Sequence, residues 1–199
     1  NCAEESALPA AAGLTCLLGG VNDLAEKDAI TKEYVHSYIV ELVAHEVGHT
    51  LGFRHNFKAS MIYSLEQMDD PEFTRTHSIG GTVMDYTPPN LAGPGKPQGE
   101  YYASVPGPYD YWVIEYGYAD YGAKTPEEER AELEKVAGRA ADPKLAYGTD
   151  EDSYGNGTRG IDPYCLTFDF GDDNVKFCER RIDMTRHLWQ NSIKNFERT

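Results

Sequence analysis

Residues 45 to 55 read "HEVGHTLGFRH" and hold three of the chain's six histidines, with one glutamate and two glycines. His45 and His49 are four residues apart. On a helix that spacing puts both imidazoles on one face, within reach of a single metal ion. Glu46 lies about 100° round from His45, offset from the ligand line, as suits a base acting on water beside the metal. His55 cannot join the pair on a continuing helix, because six further residues carry it about 240° round and about 9 Å along the axis. The helix must break, and Gly52 stands where the break is needed, since glycine takes the left-handed conformation at no steric cost. Beyond it the chain can turn back and offer His55 as a third ligand. Three neutral imidazoles leave one tetrahedral position on zinc open, the arrangement of catalytic rather than structural sites. Water in that position has its pKa lowered towards neutrality, and Glu46 can take its proton as it attacks a carbonyl. With this chain's composition, HExxHxxGxxH arises by chance in roughly 1 of 20,000 such sequences. Gly48 costs about 1 kcal/mol relative to alanine inside a helix, which predicts close packing against it.

These residues need a long helix. Asp28 or Thr31 is the expected cap of one running from about Lys32 to Leu51, with Val35, Ile39, Leu42, Val43, Val47 and Leu51 at helical spacing. Residues 1–20 are Ala-rich and predict a short helix. Residues 52–112 read as irregular, with a helical turn in "MIYSLEQMDDPEF", a loop at "TPPNLAGPGKPQGE" and a short buried helix from Asp110 to Tyr116. Thr125 and Glu128 form a capping box with Pro126 at the first helical position. Residues 142–173 are Gly/Asp-rich and loop-like. A last helix spans about Asp173 to Phe196, with Val175, Cys178, Ile182, Trp189, Ile193 and Phe196 on its apolar stripe and Cys178 expected as a buried free thiol. Strand-like runs are scarce, and "YCLTFDF" (164–170) is the best of them.

Composition narrows the partners. With 33 acidic and 18 basic residues the formal charge is −15, so no basic stripe exists to bind nucleic acid or an anionic membrane. No run of about 18 apolar residues could span a bilayer, and the N-terminus lacks the basic segment of a signal peptide. Cys2, Cys16, Cys165 and Cys178 contain no CxxC pair, and three complete disulfide pairings stay open. The acidic segment 147–162 fails the EF-hand template. A solvated loop is its plain reading, with a structural Ca2+ as the alternative. Asn156-Gly157-Thr158 is a glycosylation sequon, meaningful in a eukaryotic secretory pathway.

HExxHxxGxxH followed by "GGTVMDY", with Met84 29 residues after His55, resembles the metzincin zinc metalloproteases. "HEVGHTLGFRHNF", "YSLEQMDDPEFTR", "TVMDYTPPN", "GPYDYWVIEYGY" and "YGTDED" resemble the catalytic region of large, mostly bacterial, exported members, from about residue 30 to the end. The resemblance implies a zinc-dependent endopeptidase with His45, His49 and His55 as ligands and Glu46 as general base. Met84 would form a hydrophobic floor under the metal, and Tyr86 would be an extra ligand or oxyanion support. It implies a protein or peptide substrate and an extracytoplasmic location. The expected fold is α+β, mainly helical in this chain: the C-terminal part of a metzincin-like catalytic domain, with a long active-site helix, a glycine break and a Met-turn. It divides into an N-terminal segment (1–30), the active-site helix and third ligand (31–56), an irregular Met-turn region (57–124) and a C-terminal helical subdomain (125–199). Metzincins place a sheet before the active-site helix, and only 44 residues precede His45. The sheet is therefore expected from an upstream polypeptide. The alternative reading is a pseudoprotease or partner subunit whose zinc is structural.

Overall fold

The computed structural model describes the backbone of residues 2–19, 21–93, 95–155 and 161–196. The sequon at 156–158 and the side chains of Cys2, Cys16, Ile193 and Phe196 lie outside the described residues. Among the described residues eight α-helices follow in order: α1 (Cys2–Leu18), α2 (Leu24–Thr50), α3 (Leu65–Met68), α4 (Pro71–His77), α5 (Pro108–Tyr118), α6 (Pro126–Ala137), α7 (Asp150–Ser153) and α8 (Asn174–Phe196).

The chain is mainly helical, as expected, and no strand occurs among the described residues, so no β part of the α+β class lies in them. "YCLTFDF" is not extended. Phe168 takes φ 60° and its N–H bonds the Tyr86 carbonyl at 2.7 Å, so its backbone serves a loop rather than a ladder. The active-site helix also starts earlier than expected. Asp23 caps it through a 2.8 Å bond from Glu26 N–H to Oδ1. Asp28 instead pairs with Lys32 at 2.6 Å, and the Thr31 hydroxyl back-bonds to the Lys27 carbonyl at 2.7 Å. Thr125 caps α6 at the Glu128 N–H, but Glu128 reaches back to Lys124 N–H rather than to Thr125.

Helix α1 lies against α2. The buried Tyr34 hydroxyl donates to the Ala10 carbonyl at 2.8 Å and meets the Tyr102 hydroxyl at 3.0 Å. The loop between α4 and α5 is largely buried and rests on α2 and α5. Asp110, in the first turn of α5, gathers three donors from it: the Thr82 hydroxyl, Val83 N–H at 3.0 Å and Gly107 N–H at 2.8 Å. Glu41 of α2 holds the other side, accepting from Thr87 Oγ at 3.0 Å and Ala103 N–H at 3.1 Å. Between these clamps runs the segment that carries Met84 and Tyr86.

Helices α5 and α8 turn differently from expectation. In α5 only Tyr109 and Asp110 are buried, and Tyr111, Ile114, Tyr116 and Tyr118 are exposed. In α8 the expected stripe faces solvent: Val175, Cys178, Ile182 and Trp189 are exposed, while Phe177 joins the core. The reason is Arg180, whose guanidinium reaches the buried Asp69 carboxylate at 2.6 Å and fixes the inward face of α8. Cys165 is a buried free thiol, so no Cys165–Cys178 link forms.

Candidate metal centre

The site begins at the end of α2. Leu51 closes the helix and Gly52 takes φ 86°. Phe53 N–H bonds the Gly48 carbonyl at 3.1 Å and Gly52 N–H bonds the His49 carbonyl at 3.0 Å. This 6→1 and 5→2 pair is a Schellman motif, which needs a left-handed residue where Gly52 stands. The turn reverses the chain and sets His55 opposite His45 and His49. One candidate ligand nitrogen from each imidazole lies within 4.8 Å of the others.

Each ring is oriented by its Nδ1. His45 Nδ1 meets the Val83 carbonyl at 2.7 Å, and His49 Nδ1 meets the Phe53 carbonyl at 2.9 Å. A carbonyl only accepts, so both Nδ1 atoms carry protons. His55 Nδ1 meets Asp150 Oδ1 at 2.9 Å and donates to that carboxylate. In neutral imidazoles the three Nε2 atoms then present lone pairs. His49 Nε2 and His55 Nε2 stand 3.2 Å apart, and His45 Nε2 is buried without a partner. Facing lone pairs at such distances call for a cation between them. Tetrahedral zinc, with bonds of about 2.0–2.1 Å, spaces its nitrogen ligands at about 3.3–3.4 Å, so the set fits zinc. Burial lowers the His45 pKa to about 4, against the hydrogen bond to Val83, and keeps the ring neutral as a ligand must be.

Asp150 was not anticipated as part of this centre. It opens α7 and approaches His55 from 95 positions along the chain. Asn56 brings it there. This fully buried side chain donates to the Ala146 carbonyl at 3.0 Å and accepts from Gly148 N–H at 3.1 Å. Phe57 N–H adds a 2.7 Å bond to the Gly148 carbonyl. Burial opposes ionisation of Asp150, but its hydrogen bonds, that from His55 foremost, outweigh it and hold the carboxyl below its ordinary range. "YGTDED" carried the only local signal, an acidic cluster. Among the described residues of segment 147–162, the other acids are engaged: Glu151 pairs with Arg54 at 2.6 Å, Asp152 caps Thr149 N–H, and Asp162 pairs with Lys58 at 2.6 Å.

Beneath the ligands, Met84 is fully buried, and a Cβ built on Gly48 would lie 2.2 Å from its sulfur. Gly48 thus marks the close approach of α2 to Met84. Tyr86 is buried, with its ring 5.4 Å from that of His45 and 4.6 Å from that of His55. Glu46 is exposed on the helix beside the ligands.

A long helix broken by a glycine, with two histidines before the break and one after it, defines a metzincin-type region. The family model described as Met-zincin matches residues 27–199, nearly the whole chain. The chain belongs to the Met-zincin family. No curated protein and no solved structure matches it. No described helix is long and apolar enough to cross a membrane.

Proposed function

We propose that this chain carries the catalytic centre of a zinc-dependent endopeptidase. The observation that carries the reading is the set of three imidazoles, each with Nδ1 engaged and one ligand nitrogen from each within 4.8 Å of the others. His45, His49 and His55 would hold the metal, and three protein ligands leave a position open for chemistry. When bound, zinc supplies a Lewis acid that polarises a carbonyl and lowers the pKa of water. Glu46 takes the proton of the attacking water on its carboxylate and returns it to the leaving amine. Asp150 fixes the tautomer and direction of His55. Met84 supports α2 from below, and Tyr86, whose ring lies against those of His45 and His55, would steady the oxyanion with its hydroxyl. Resemblance to exported family members supports a protein or peptide substrate met outside the cytoplasm.

Replacing Glu46 by alanine tests the catalytic role. In the full-length chain, E46A should retain one zinc per chain and lose cleavage of a peptide library. A variant that cleaves like wild type would leave the zinc structural and sink the reading.

We also propose that a sheet from a segment outside these residues packs on α2. Val35, Ile39, Val43 and Val47 recur every fourth residue along α2 and are each between 40% and 55% exposed. A continuous apolar stripe beside a catalytic centre is the kind of surface that a partner element covers. In the full-length protein Val43→Asp should destabilise by about 2 kcal/mol or more. A solvent-facing site would tolerate it within about 0.5 kcal/mol, and that result would refute the covered face.

A further inference from the structure

We propose that Ser60, Asp85 and Asp169 form a second cation site, distinct from the three histidines and suited to a hard divalent ion of the calcium class. The three residues come from separate segments that backbone bonds already draw together. Ser60 lies in the 3-10 turn Ala59–Met61, Asp85 stands between Met84 and Tyr86, and Asp169 follows Phe168. Phe168 N–H bonds the Tyr86 carbonyl at 2.7 Å, and Gly171 N–H bonds the Ser60 carbonyl at 3.1 Å. Ser60 N–H donates to Asp85 Oδ2 at 2.9 Å.

What the cluster lacks is a positive charge. Ser60 is 0% exposed, and Asp85 and Asp169 are each 5% exposed. Asp85 Oδ1, both carboxylate oxygens of Asp169 and the Ser60 hydroxyl are shielded from solvent. Nearly all buried polar atoms in folded proteins have partners, and a buried carboxylate needs a counter-charge. No basic side chain supplies one among the described residues. The nearby Lys58 directs its ammonium to Asp162. Burial pushes both carboxyls up, and the charge of Asp169 adds to the effect on Asp85, as expected of two acids sharing one enclosure. The Ser60 hydroxyl donates a hydrogen bond to the Asp169 carboxylate and acts in the opposite direction.

The oxygens of two buried acids and a hydroxyl are donors for a hard cation, not for zinc or copper. Enclosure favours calcium over magnesium, because magnesium keeps several waters while calcium accepts a shell of protein oxygens. A bound ion would tie the Met84–Tyr86 turn to both flanking segments.

The test uses the full-length protein, stripped of metal and restored with one equivalent of zinc. Titration with Ca2+ by calorimetry should show one site per chain, and Ca2+ should raise the melting temperature more than Mg2+ does. Asp169→Asn and Ser60→Ala should each weaken calcium binding at least tenfold while leaving zinc content at one per chain. Should Asp169→Asn fail to fold, Ser60→Ala carries the comparison. A zinc-restored wild type that binds no calcium would overturn the proposal and leave the two acids sharing a proton. Unchanged calcium affinity in the variants would overturn it by placing the ion elsewhere.

Discussion

Replacing Gly48 by alanine isolates the contact between the active-site helix and the methionine beneath it. Gly48 is helical and has no positive φ, so alanine fits its backbone. Helix propensity alone then predicts a gain of about 1 kcal/mol. Packing predicts the reverse. The new Cβ would stand 2.2 Å from Met84 Sδ and 3.3 Å from its Cε. Ordinary carbon contacts lie near 3.5–4.0 Å, so the thioether must retreat by about 1.5 Å. Its backbone cannot follow, because Met84 N–H bonds Thr82 Oγ at 3.0 Å and the Met84 carbonyl accepts from Asn56 N–H at 3.0 Å. The side chain is fully buried, so retreat means overpacking, at about 1–3 kcal/mol. Subtracting the propensity gain leaves a net loss of about 0–2 kcal/mol, read as a lower denaturation midpoint at unchanged slope. The double variant G48A/M84A relieves the clash, so its stability should exceed the additive sum by about 1 kcal/mol. A G48A protein more stable than wild type by the full propensity gain, with an additive double variant, would refute the reasoning.

Asp150→Ala should lower zinc affinity by about 10–100-fold, since it removes the carboxylate that orients His55; chelator competition measures this, and an unchanged affinity would show that His55 needs no such partner. Glu41→Gln should remove a pH dependence. Burial raises the Glu41 pKa to about 7 from 4.5, against its bonds from Ala103 and Thr87. A raised carboxyl pKa contributes stability that is full below about 4.5 and lost as pH rises through 7, at most about 3 kcal/mol. The amide oxygen of glutamine accepts the same two bonds without ionising, so the fall between pH 4.5 and 7 should shrink in the variant. Equal slopes in the two proteins would place the titration elsewhere.

Legibility followed sequence distance. The ligand spacing, the need for a break and the residue to make it are local facts within eleven positions, and helix geometry alone decides them. The Schellman bonds at Gly52 also explain what spacing could not foresee: the same turn presents the Phe53 carbonyl to His49 Nδ1. Asp150 escaped because nothing near His55 points to a residue 95 positions away, and its placement depends on Asn56 bonding across that gap. Asp28 and Thr31 are cap-type residues that lie inside α2, and Asp23, which has the extended backbone of a cap, starts the helix a turn or two earlier than either.

Helices α2 and α8 show where periodicity stops being informative. An apolar stripe at helical spacing says that a face exists, not what covers it. On α8 the stripe points to solvent because a single ion pair, Arg180 to Asp69, outweighs it in choosing the inward face. A misplaced buried charge costs more than an exposed valine or isoleucine gains, so the ion pair decides. On α2 the two faces do different work. Tyr34, Ser37, His45 and Gly48 are buried, and His45 and Gly48 meet the segment that carries Val83 and Met84. Val35, Ile39, Val43 and Val47 face away. Bonds on the opposite face fix this orientation: Tyr34 to the Ala10 carbonyl, Glu41 to Thr87 and Ala103, and His45 to the Val83 carbonyl.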